Sequence, residues 1–191
     1  RSSTSIWKVE LTSSGSRSSL QPAGFLSPAL NIPTRIMRVP ISGGPPQLVM
    51  EGRGVSGLSC ARFPATLCVF SEPTPDGKQV IFSAFDPLQG RGRELTIINL
   101  KQPVVAYGWG LSPDGSHLAL TQCEDREGRI QIIPVAGGKV REVVVQGRAR
   151  LYRISWSADG KGMFVGIREA PHATLLHVDL EGRANVLWEQ K

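Results

Sequence analysis

Three aspartates stand in one recurring phrase, and a carboxylate repeated in this way is a group that could bind a metal or a ligand. The phrases read Thr-Pro-Asp-Gly-Lys, Ser-Pro-Asp-Gly-Ser and Ser-Ala-Asp-Gly-Lys, and their aspartates are Asp76, Asp114 and Asp159. Proline fixes φ in a turn, aspartate bonds the backbone ahead of it, and glycine supplies the positive φ that closes a hairpin. We therefore predict turn residues, and no metal site, at these aspartates and at the glycines that follow them: Gly77, Gly115 and Gly160.

Other groups that could perform catalysis do not form a recognisable set. The nucleophile-elbow pattern Gly-x-Ser-x-Gly is missing, since the glycine after Ser112 comes one position too late. His172 and His177 are five residues apart and His117 opens another predicted strand, so neither a zinc motif nor a Ser-His-Asp set can be assembled. The run 90–93, Gly-Arg-Gly-Arg, has no Walker pattern and is predicted to be a flexible loop. The sequence thus predicts a non-enzyme without a cofactor.

The spacing of the aspartates predicts the elements that position them. They lie 38 and 45 residues apart, which is the period of a four-stranded propeller blade. We predict an all-β chain: a β-propeller of four-stranded antiparallel blades, with about three complete blades and partial N-terminal ones, forming part of a larger propeller. The predicted single domain covers 1–191, with blades at 1–20 (partial), 21–50 (reduced), 55–100, 104–146 and 150–190.

The first third of the chain departs from this period. Ser5–Leu11 and Arg35–Ile41 both look like third strands, but they are only about 30 residues apart, short of the usual 40 to 45. Either one blade is stunted or a segment near 21–34 is absent from the numbered chain. In the blade at 55–100 the Pro-Asp-Gly turn has moved to the second connection.

These phrases resemble the bacterial TolB-like, WD-repeat-like propellers, whose blades carry Trp-Ser-Pro-Asp-Gly and later an Ile-Trp-like strand ending in Gly-Gly. Here 156–160 and 111–115 match the first part, and 5–7, 36–44 and 132–138 match the last. The resemblance covers about Ser5 to Trp188. It is greatest to the propellers attached to bacterial transmembrane Ser/Thr kinases and winged-helix regulators, which implies a sensing or docking module. A propeller with few blades would expose strand edges, so self-association through them is a further expectation.

Cysteine usage bears on the compartment. Cys60 and Cys68 flank a stretch able to turn about Pro64, which places them opposite each other on neighbouring strands. A disulfide and two buried thiols both fit this placement, and Cys123 would remain single. A disulfide would favour an oxidising compartment, and we expect a periplasmic or other extracytoplasmic location slightly over a cytoplasmic one.

Charge does not indicate nucleic-acid binding. The net charge is +6, but no RNA-binding motif with interleaved aromatics and no groove-reading helix accompanies it. No stretch approaches the roughly 18 apolar residues that span a bilayer, so no membrane insertion of this segment is expected. A positive field does suit an acidic protein or surface.

Charged residues concentrate where second-to-third strand loops and blade-to-blade links would share one face of the propeller. Loops on a rigid scaffold are where binding usually occurs. We therefore predict a non-catalytic module that binds a protein or peptide there. The alternative is a substrate-gating propeller of a prolyl-oligopeptidase-like hydrolase whose catalytic domain lies outside this chain. The candidate binding residues are Arg53, Glu72, Glu124, Asp125, Arg126, Arg148, Arg150, Arg168, Glu169 and His172.

Overall fold

The chain folds entirely into strands and their connections wherever its structure is described. The computed structural model describes residues 5–11, 33–40, 42–101, 107–123, 125–148, 150–169 and 172–190. Within those ranges there are fifteen β-strands and no helix. The all-β prediction is therefore confirmed.

The strands form four antiparallel sheets in chain order, numbered sheet 1 to sheet 4. Sheet 1 contains β1 (Ser5–Leu11), β2 (Pro33–Pro40) and β3 (Gln47–Arg53). Sheet 2 contains β4 (Gly57–Cys60), β5 (Cys68–Pro73), β6 (Gln79–Asp86) and β7 (Gly90–Asn99). Sheet 3 contains β8 (Tyr107–Leu111), β9 (His117–Gln122), β10 (Arg129–Pro134) and β11 (Arg141–Val144). Sheet 4 contains β12 (Leu151–Trp156), β13 (Gly162–Glu169), β14 (His172–Asp179) and β15 (Ala184–Gln190).

Connections between the strands lie on two opposite faces, because neighbouring strands run in opposite directions. In sheets 2 to 4 the first-to-second and third-to-fourth hairpins end on one face, here called the turn face. The second-to-third loops and the links to the next sheet end on the other, here called the loop face. Hydrogen bonds join neighbouring sheets on both faces: Arg62 N–H donates to Pro113 O (2.7 Å) on the turn face, and Lys101 N–H to Gln122 Oε1 (2.9 Å) on the loop face.

Alternating side chains bury one apolar layer between each pair of sheets. In β13, Met163 and Val165 are fully buried while Phe164 between them is 40% exposed, the period of two that a strand imposes. The same alternation builds three clusters, one per sheet-to-sheet contact. Their central members are Ile36, Met50, Phe70 and Phe85 between sheets 1 and 2; Val69, Val80, Phe82, Leu118 and Leu120 between sheets 2 and 3; and Ile130, Ile132, Ile154, Met163 and Leu176 between sheets 3 and 4.

Two tryptophans connect consecutive sheets, as the sequence predicts for first-strand aromatics. Trp109 packs edge-on against Phe82 of sheet 2, with ring centroids 5.2 Å apart. Trp156 donates its indole N–H to Gly110 O of sheet 3 at 3.1 Å. Both side chains are therefore structural contacts between sheets.

Two sequence predictions need correction. Ser5–Leu11 and Pro33–Pro40, expected in separate blades, pair along seven residues in one sheet. The run 90–93, expected to be a flexible loop, opens strand β7. Gly90 pairs with Asp86 at φ +92°, and Gly92 has no Cβ and so packs directly on Ala84. The two glycines thus permit a close hairpin that the residue types alone suggest is loose.

The far side of sheet 4 carries apolar side chains in contact with solvent. Phe164, Leu175 and Trp188 are 40%, 38% and 52% exposed. These are the strand positions that face away from sheet 3. The predicted self-association, which would use open strand edges of the propeller, stays a prediction.

Candidate functional site

Four of the predicted binding residues lie together on the loop face of sheets 3 and 4. Asp125 and Arg126 belong to the loop between β9 and β10, and Arg148 and Arg150 belong to the link between β11 and β12. We call these four residues the loop-face cluster. The first pair lies more than twenty residues from the second in sequence. The backbone brings the two pairs side by side.

Backbone hydrogen bonds interlock the two loops of the cluster. Val145 N–H donates to Gly128 O at 3.0 Å, and Arg150 N–H donates to Asp125 O at 3.0 Å. Gly128 has φ +64° and lies directly under the carbonyl oxygen of Arg148. A side chain there would collide with that oxygen, so glycine is what allows the loops to touch.

Arg150 adopts a backbone conformation that is costly for its residue type. Its φ is +54°, and among the described residues it is the one non-glycine with positive φ. Such a conformation costs an L-residue roughly 1 to 2 kcal/mol. Strain of this kind concentrates at binding and catalytic sites. The bond from Arg150 N–H to Asp125 O holds the strained residue in place and presents an exposed guanidinium.

Replacing Arg150 by glycine is expected to stabilise the fold by about 0.5 to 1 kcal/mol, because glycine accepts positive φ and the strain is relieved. The matched control is Arg148→Gly, at a position without positive φ. That change should cost about 0.5 to 1 kcal/mol through the added freedom of the unfolded chain. Urea unfolding of both variants measures the difference. Equal effects of the same sign would show that Arg150 carries no strain.

Lys101 belongs to the site although sequence reasoning did not select it. Its ammonium lies 2.8 Å from Asp125 Oδ2, and Asp125 is only 7% exposed. Glu127 N–H donates to the other oxygen, Oδ1, at 2.9 Å. Asp125 therefore anchors the loop by accepting two bonds, and the outward-facing charges of the cluster are cationic. Lys101 follows a predicted strand with no distinguishing neighbour, so no local signal marks it.

Arg53 and Glu72 lie at a different place, where sheets 1 and 2 meet. Both carboxylate oxygens of Glu72 accept hydrogen bonds from Arg91, at 2.8 and 2.9 Å, and one of them accepts Arg53 N–H at 3.3 Å. Arg91 also stacks over the ring of Phe70, 4.7 Å from its centroid. This bidentate pair, joining β5 to β7, gives Glu72 a structural role.

Three of the remaining predicted binding residues lie together where β13 meets β14 on the loop face of sheet 4, and the fourth lies outside the described residues. The backbones of Arg168 and Glu169 pair with Ala173 and His172 where β13 meets β14. His172 Nδ1 lies 3.4 Å from Gln190 O. Glu124 falls outside the described residues.

The three aspartates of the repeated phrase make the same local contacts. Asp114 Oδ1 accepts Ser112 Oγ–H at 2.6 Å and Ser116 N–H at 3.0 Å, and Gly115, at φ +75°, closes the turn. Asp76 and Asp159 repeat the pattern within their own turns. The hydrogen bond from Ser112, followed by those from Ser116, lowers the pKa of Asp114 to about 2. These bonds stabilise the ionised carboxylate and fix the turn.

Stability is expected to fall in acid as Asp114 loses its charge. A carboxyl whose folded pKa is depressed contributes stability that is fully present above its ordinary pKa of about 3.9 and is lost as pH falls toward 2. The effect should be modest because the group is exposed to solvent. Urea unfolding of wild type and Asp114→Asn between pH 6 and pH 2 tests this. The stability gap between them should be constant above about pH 5 and narrow below pH 4; a gap independent of pH would contradict it.

Histidines and acidic residues do not converge on one point in the described part of the chain. His117 begins β9 on the turn face, His172 begins β14 on the loop face, and the His177 ring packs edge-on against Phe164 at 5.4 Å. No group of three or more His, Cys, Asp or Glu side chains there could hold a metal ion.

The sequence left the state of the first two cysteines open, and the structure joins them. Cys60 and Cys68 occupy paired positions of β4 and β5 and form a disulfide. Cys123 is not part of a disulfide. The bridge closes the turn-face hairpin 61–67, which packs on the turn at Gly115.

Comparisons with known proteins relate the chain to propellers. No family model matches it. A stretch of 103 residues, 51% of the chain, is 32% identical to Tricorn protease homolog 1 of Streptomyces coelicolor and spans 9% of that protein. Among solved structures, TolB from Acinetobacter baumannii matches 84% of this chain and 41% of its own, with TM-score 0.60 and 17% identity. A chain of a nidogen/laminin complex matches 82% of this chain and 59% of its own, with TM-score 0.61 and 12% identity.

A third structure, Kuenenia stuttgartiensis hydrazine synthase, matches 86% of this chain and 46% of its own, with TM-score 0.53 and 15% identity. This chain thus spans less than two thirds of each of these proteins. The antiparallel sheets packed in chain order and these likenesses define the fold. The chain is a TolB-like β-propeller in fold, and its described residues supply four sheets of such a propeller.

Proposed function

We propose that this chain is a non-catalytic binding module of a TolB-like propeller, which holds an acidic protein or peptide on its loop face. The observation that carries the proposal is the presentation of Arg148 and Arg150 by the link between β11 and β12, which interlocks with the loop between β9 and β10 and is strained at Arg150. Backbone strain persists only where the surrounding structure enforces it, and it clusters at functional sites. We therefore expect the strained Arg150 to contact a partner.

The chemistry of the cluster favours a carboxylate-bearing partner. Guanidinium groups form bidentate, charge-assisted hydrogen bonds with carboxylates. Asp125, the cluster's one acid, is turned inward to Lys101, and the exposed Glu127 of the same loop is paired with Arg129. The net charge of +6 adds a field that steers acidic molecules toward the chain. A neighbour solved as a nidogen/laminin complex supports the use of this fold in protein binding.

Selection from a displayed library of random peptides tests the proposal. Peptides selected on the wild type should be rich in Asp and Glu and should bind Arg148→Ala/Arg150→Ala at least about tenfold more weakly, the loss expected from one or two charge-assisted bonds. The double variant should fold normally, because both side chains are at the surface.

The matched control is Arg62→Gln/Arg93→Gln, which removes two positive charges from exposed positions of sheet 2 and its hairpin 61–67. It should leave the affinity of the selected peptides unchanged. Equal weakening by both double variants would mean that overall charge, and not the loop-face cluster, attracts the peptides. If the selected peptides bound Arg148→Ala/Arg150→Ala as tightly as wild type, the loop-face cluster would be excluded as their binding site.

A second candidate function is supported by the likeness to Tricorn protease homolog 1. In this second function the chain is the propeller of a peptidase. The propeller controls the entry of substrate to a catalytic domain that lies outside this chain. The coding sequence around this segment separates the two. A serine-peptidase domain with Gly-x-Ser-x-Gly would favour the gating role, whereas a kinase, a membrane span or a winged helix would favour the binding module.

We also propose an extracytoplasmic location, which rests on the Cys60–Cys68 disulfide. Disulfides persist in oxidising compartments and are rare in the cytosol. Among the described residues no helix is long and apolar enough to cross a bilayer. Alkylation of free thiols in denaturant at lysis, with the modified sites counted by mass spectrometry, should label Cys123 alone. Three reactive thiols would contradict the location.

A further inference from the structure

A cleft of about 410 Å³ opens on the turn face between sheets 3 and 4, opposite the loop-face cluster. Ligand pockets typically have volumes of roughly 300 to 1,000 Å³. Its walls come from the turns at 112–116 and 157–161 and from the hairpin between β10 and β11. Both sheets are needed to form it, so the cleft depends on the assembled propeller.

Four large apolar side chains form one stretch of the cleft lining. Ile132 and Pro134 line it from sheet 3, and Trp156 and Leu180 from sheet 4. The indole N–H of Trp156 is already bonded to Gly110 O, so the 9% of this side chain that is exposed offers the cleft hydrocarbon. Such a surface accommodates an aliphatic side chain.

Opposite charges stand at the two ends of this apolar stretch. Asp114 and Asp159 lie in the first turns of their sheets, whereas Lys139 and Arg141 lie at the outer hairpin of sheet 3. The sheet order β11-β10-β9-β8 puts two strand spacings between the turn holding Asp114 and that hairpin. At about 4.8 Å per spacing the separation is about 10 Å.

Three of the four charged groups are held in place before a ligand binds. Bonds within the turns fix the carboxylates: Ser112 Oγ–H to Asp114, and Ser157 Oγ–H to Asp159, each at 2.6 Å. Arg141 Nη2 donates to Leu180 O at 2.5 Å and so bridges the sheets at the outer end. Groups fixed in advance lose little conformational freedom on binding.

We propose that this cleft binds a short peptide of about three residues with unblocked ends. Its ammonium group lies at Asp114 and Asp159, its carboxylate at Lys139 and Arg141, and its central aliphatic side chain on Trp156. An extended chain spans at most about 3.3 to 3.6 Å per residue, so three residues reach across the 10 Å between the charges. This site is separate from the loop-face cluster and does not depend on the function proposed for it.

NMR titration of the ¹⁵N-labelled chain with the tripeptide Ala-Leu-Ala tests the proposal. The Trp156 indole N–H and the amides of His117 and Gly160 should shift on titration. Acetylating the amine or amidating the carboxylate should each weaken binding about tenfold, the loss of one charge-assisted hydrogen bond. Unshifted signals at about 10 mM peptide, enough to fill a site of millimolar Kd, would overturn the proposal. Equal affinity of the capped and uncapped peptides would also overturn it.

Substitutions assign the two ends. Lys139→Gln should weaken the binding of Ala-Leu-Ala. Amidating the peptide carboxylate should then cost little further affinity. Asp159→Asn keeps the Oδ1 acceptor of its turn, so the turn should stay intact. Acetylating the peptide amine should cost this variant little affinity. Arg93→Gln, an exposed change on β7 of sheet 2, is the matched control and should have no effect. Lys139→Gln that binds like wild type would exclude the site, whereas loss of the acidic-peptide binding proposed above would leave it standing.

Discussion

Replacing Phe82 by alanine is expected to lower the free energy of unfolding by about 3 to 5 kcal/mol, the range found for buried phenylalanines. Phe82 is completely buried between sheets 2 and 3. Its ring contacts Trp109 edge-on and packs within the cluster that includes Leu118 and Leu120. Its removal leaves a cavity where the two sheets meet. Urea unfolding followed by tryptophan fluorescence measures the loss, and Trp109 should report it directly.

Phe63→Ala is the matched control for this experiment. Phe63 is 95% exposed at the tip of the disulfide-closed hairpin, and surface substitutions usually change stability by no more than about 0.5 kcal/mol. The same chemical change at the two positions should therefore give very different results. A cost at Phe82 no greater than that at Phe63 would contradict the packing of sheet 2 on sheet 3.

The second large effect is expected from Gly128→Ala, which should cost about 3 kcal/mol. Roughly 1 to 2 kcal/mol comes from forcing an L-residue to positive φ. The rest comes from displacing the Arg148 carbonyl, which the new Cβ would overlap, with loss of about one or two hydrogen bonds between the loops. The change should also weaken the binding of acidic peptides, because it separates the loops that present the loop-face cluster.

Gly137→Ala isolates the contribution of the conformation alone. Gly137 has φ +84°, but a Cβ there meets no atom within 4 Å. Its substitution should cost only the 1 to 2 kcal/mol due to positive φ, and it should leave peptide binding intact. Equal costs at Gly128 and Gly137 would mean that the loops do not depend on close contact at Gly128.

The parts of the fold that the sequence predicts are those specified by short stretches of chain. Proline, aspartate and glycine carry their turn preferences with them, so the repeated phrase locates hairpins and gives the period of a propeller. The placement of Cys60 opposite Cys68 follows in the same way from a turn about Pro64 and is confirmed. The all-β class follows from such local signals repeated along the chain, whereas the TolB-like fold is implied by the resemblance of the phrases to that family.

Contacts between distant segments could not be predicted from the same signals. The pairing of β1 with β2 depends on register across a long connection. The bidentate bond of Arg91 to Glu72 crosses from β7 to β5, and it turns a predicted binding residue into a structural one. Lys101 reaches Asp125 only because two sheets pack together. The turn-face cleft likewise exists only between assembled sheets.

The two faces of the chain therefore have different chemistry. The loop face offers cations held by interlocked loops, which suits a carboxylate-bearing surface. The turn face offers a cleft in which an apolar stretch lies between groups of opposite charge. A propeller places such sites on a rigid scaffold, where loops can vary without disturbing the sheets.

The central claim, that the loop-face cluster holds an acidic partner, is tested most directly by hydrogen–deuterium exchange on the complex with the tightest acidic peptide selected from the library. We predict new protection in 123–128 and 145–150 and none in 112–116 or 157–161. Protection confined to the turn face, or to the exposed strand Ala184–Gln190, would contradict the claim.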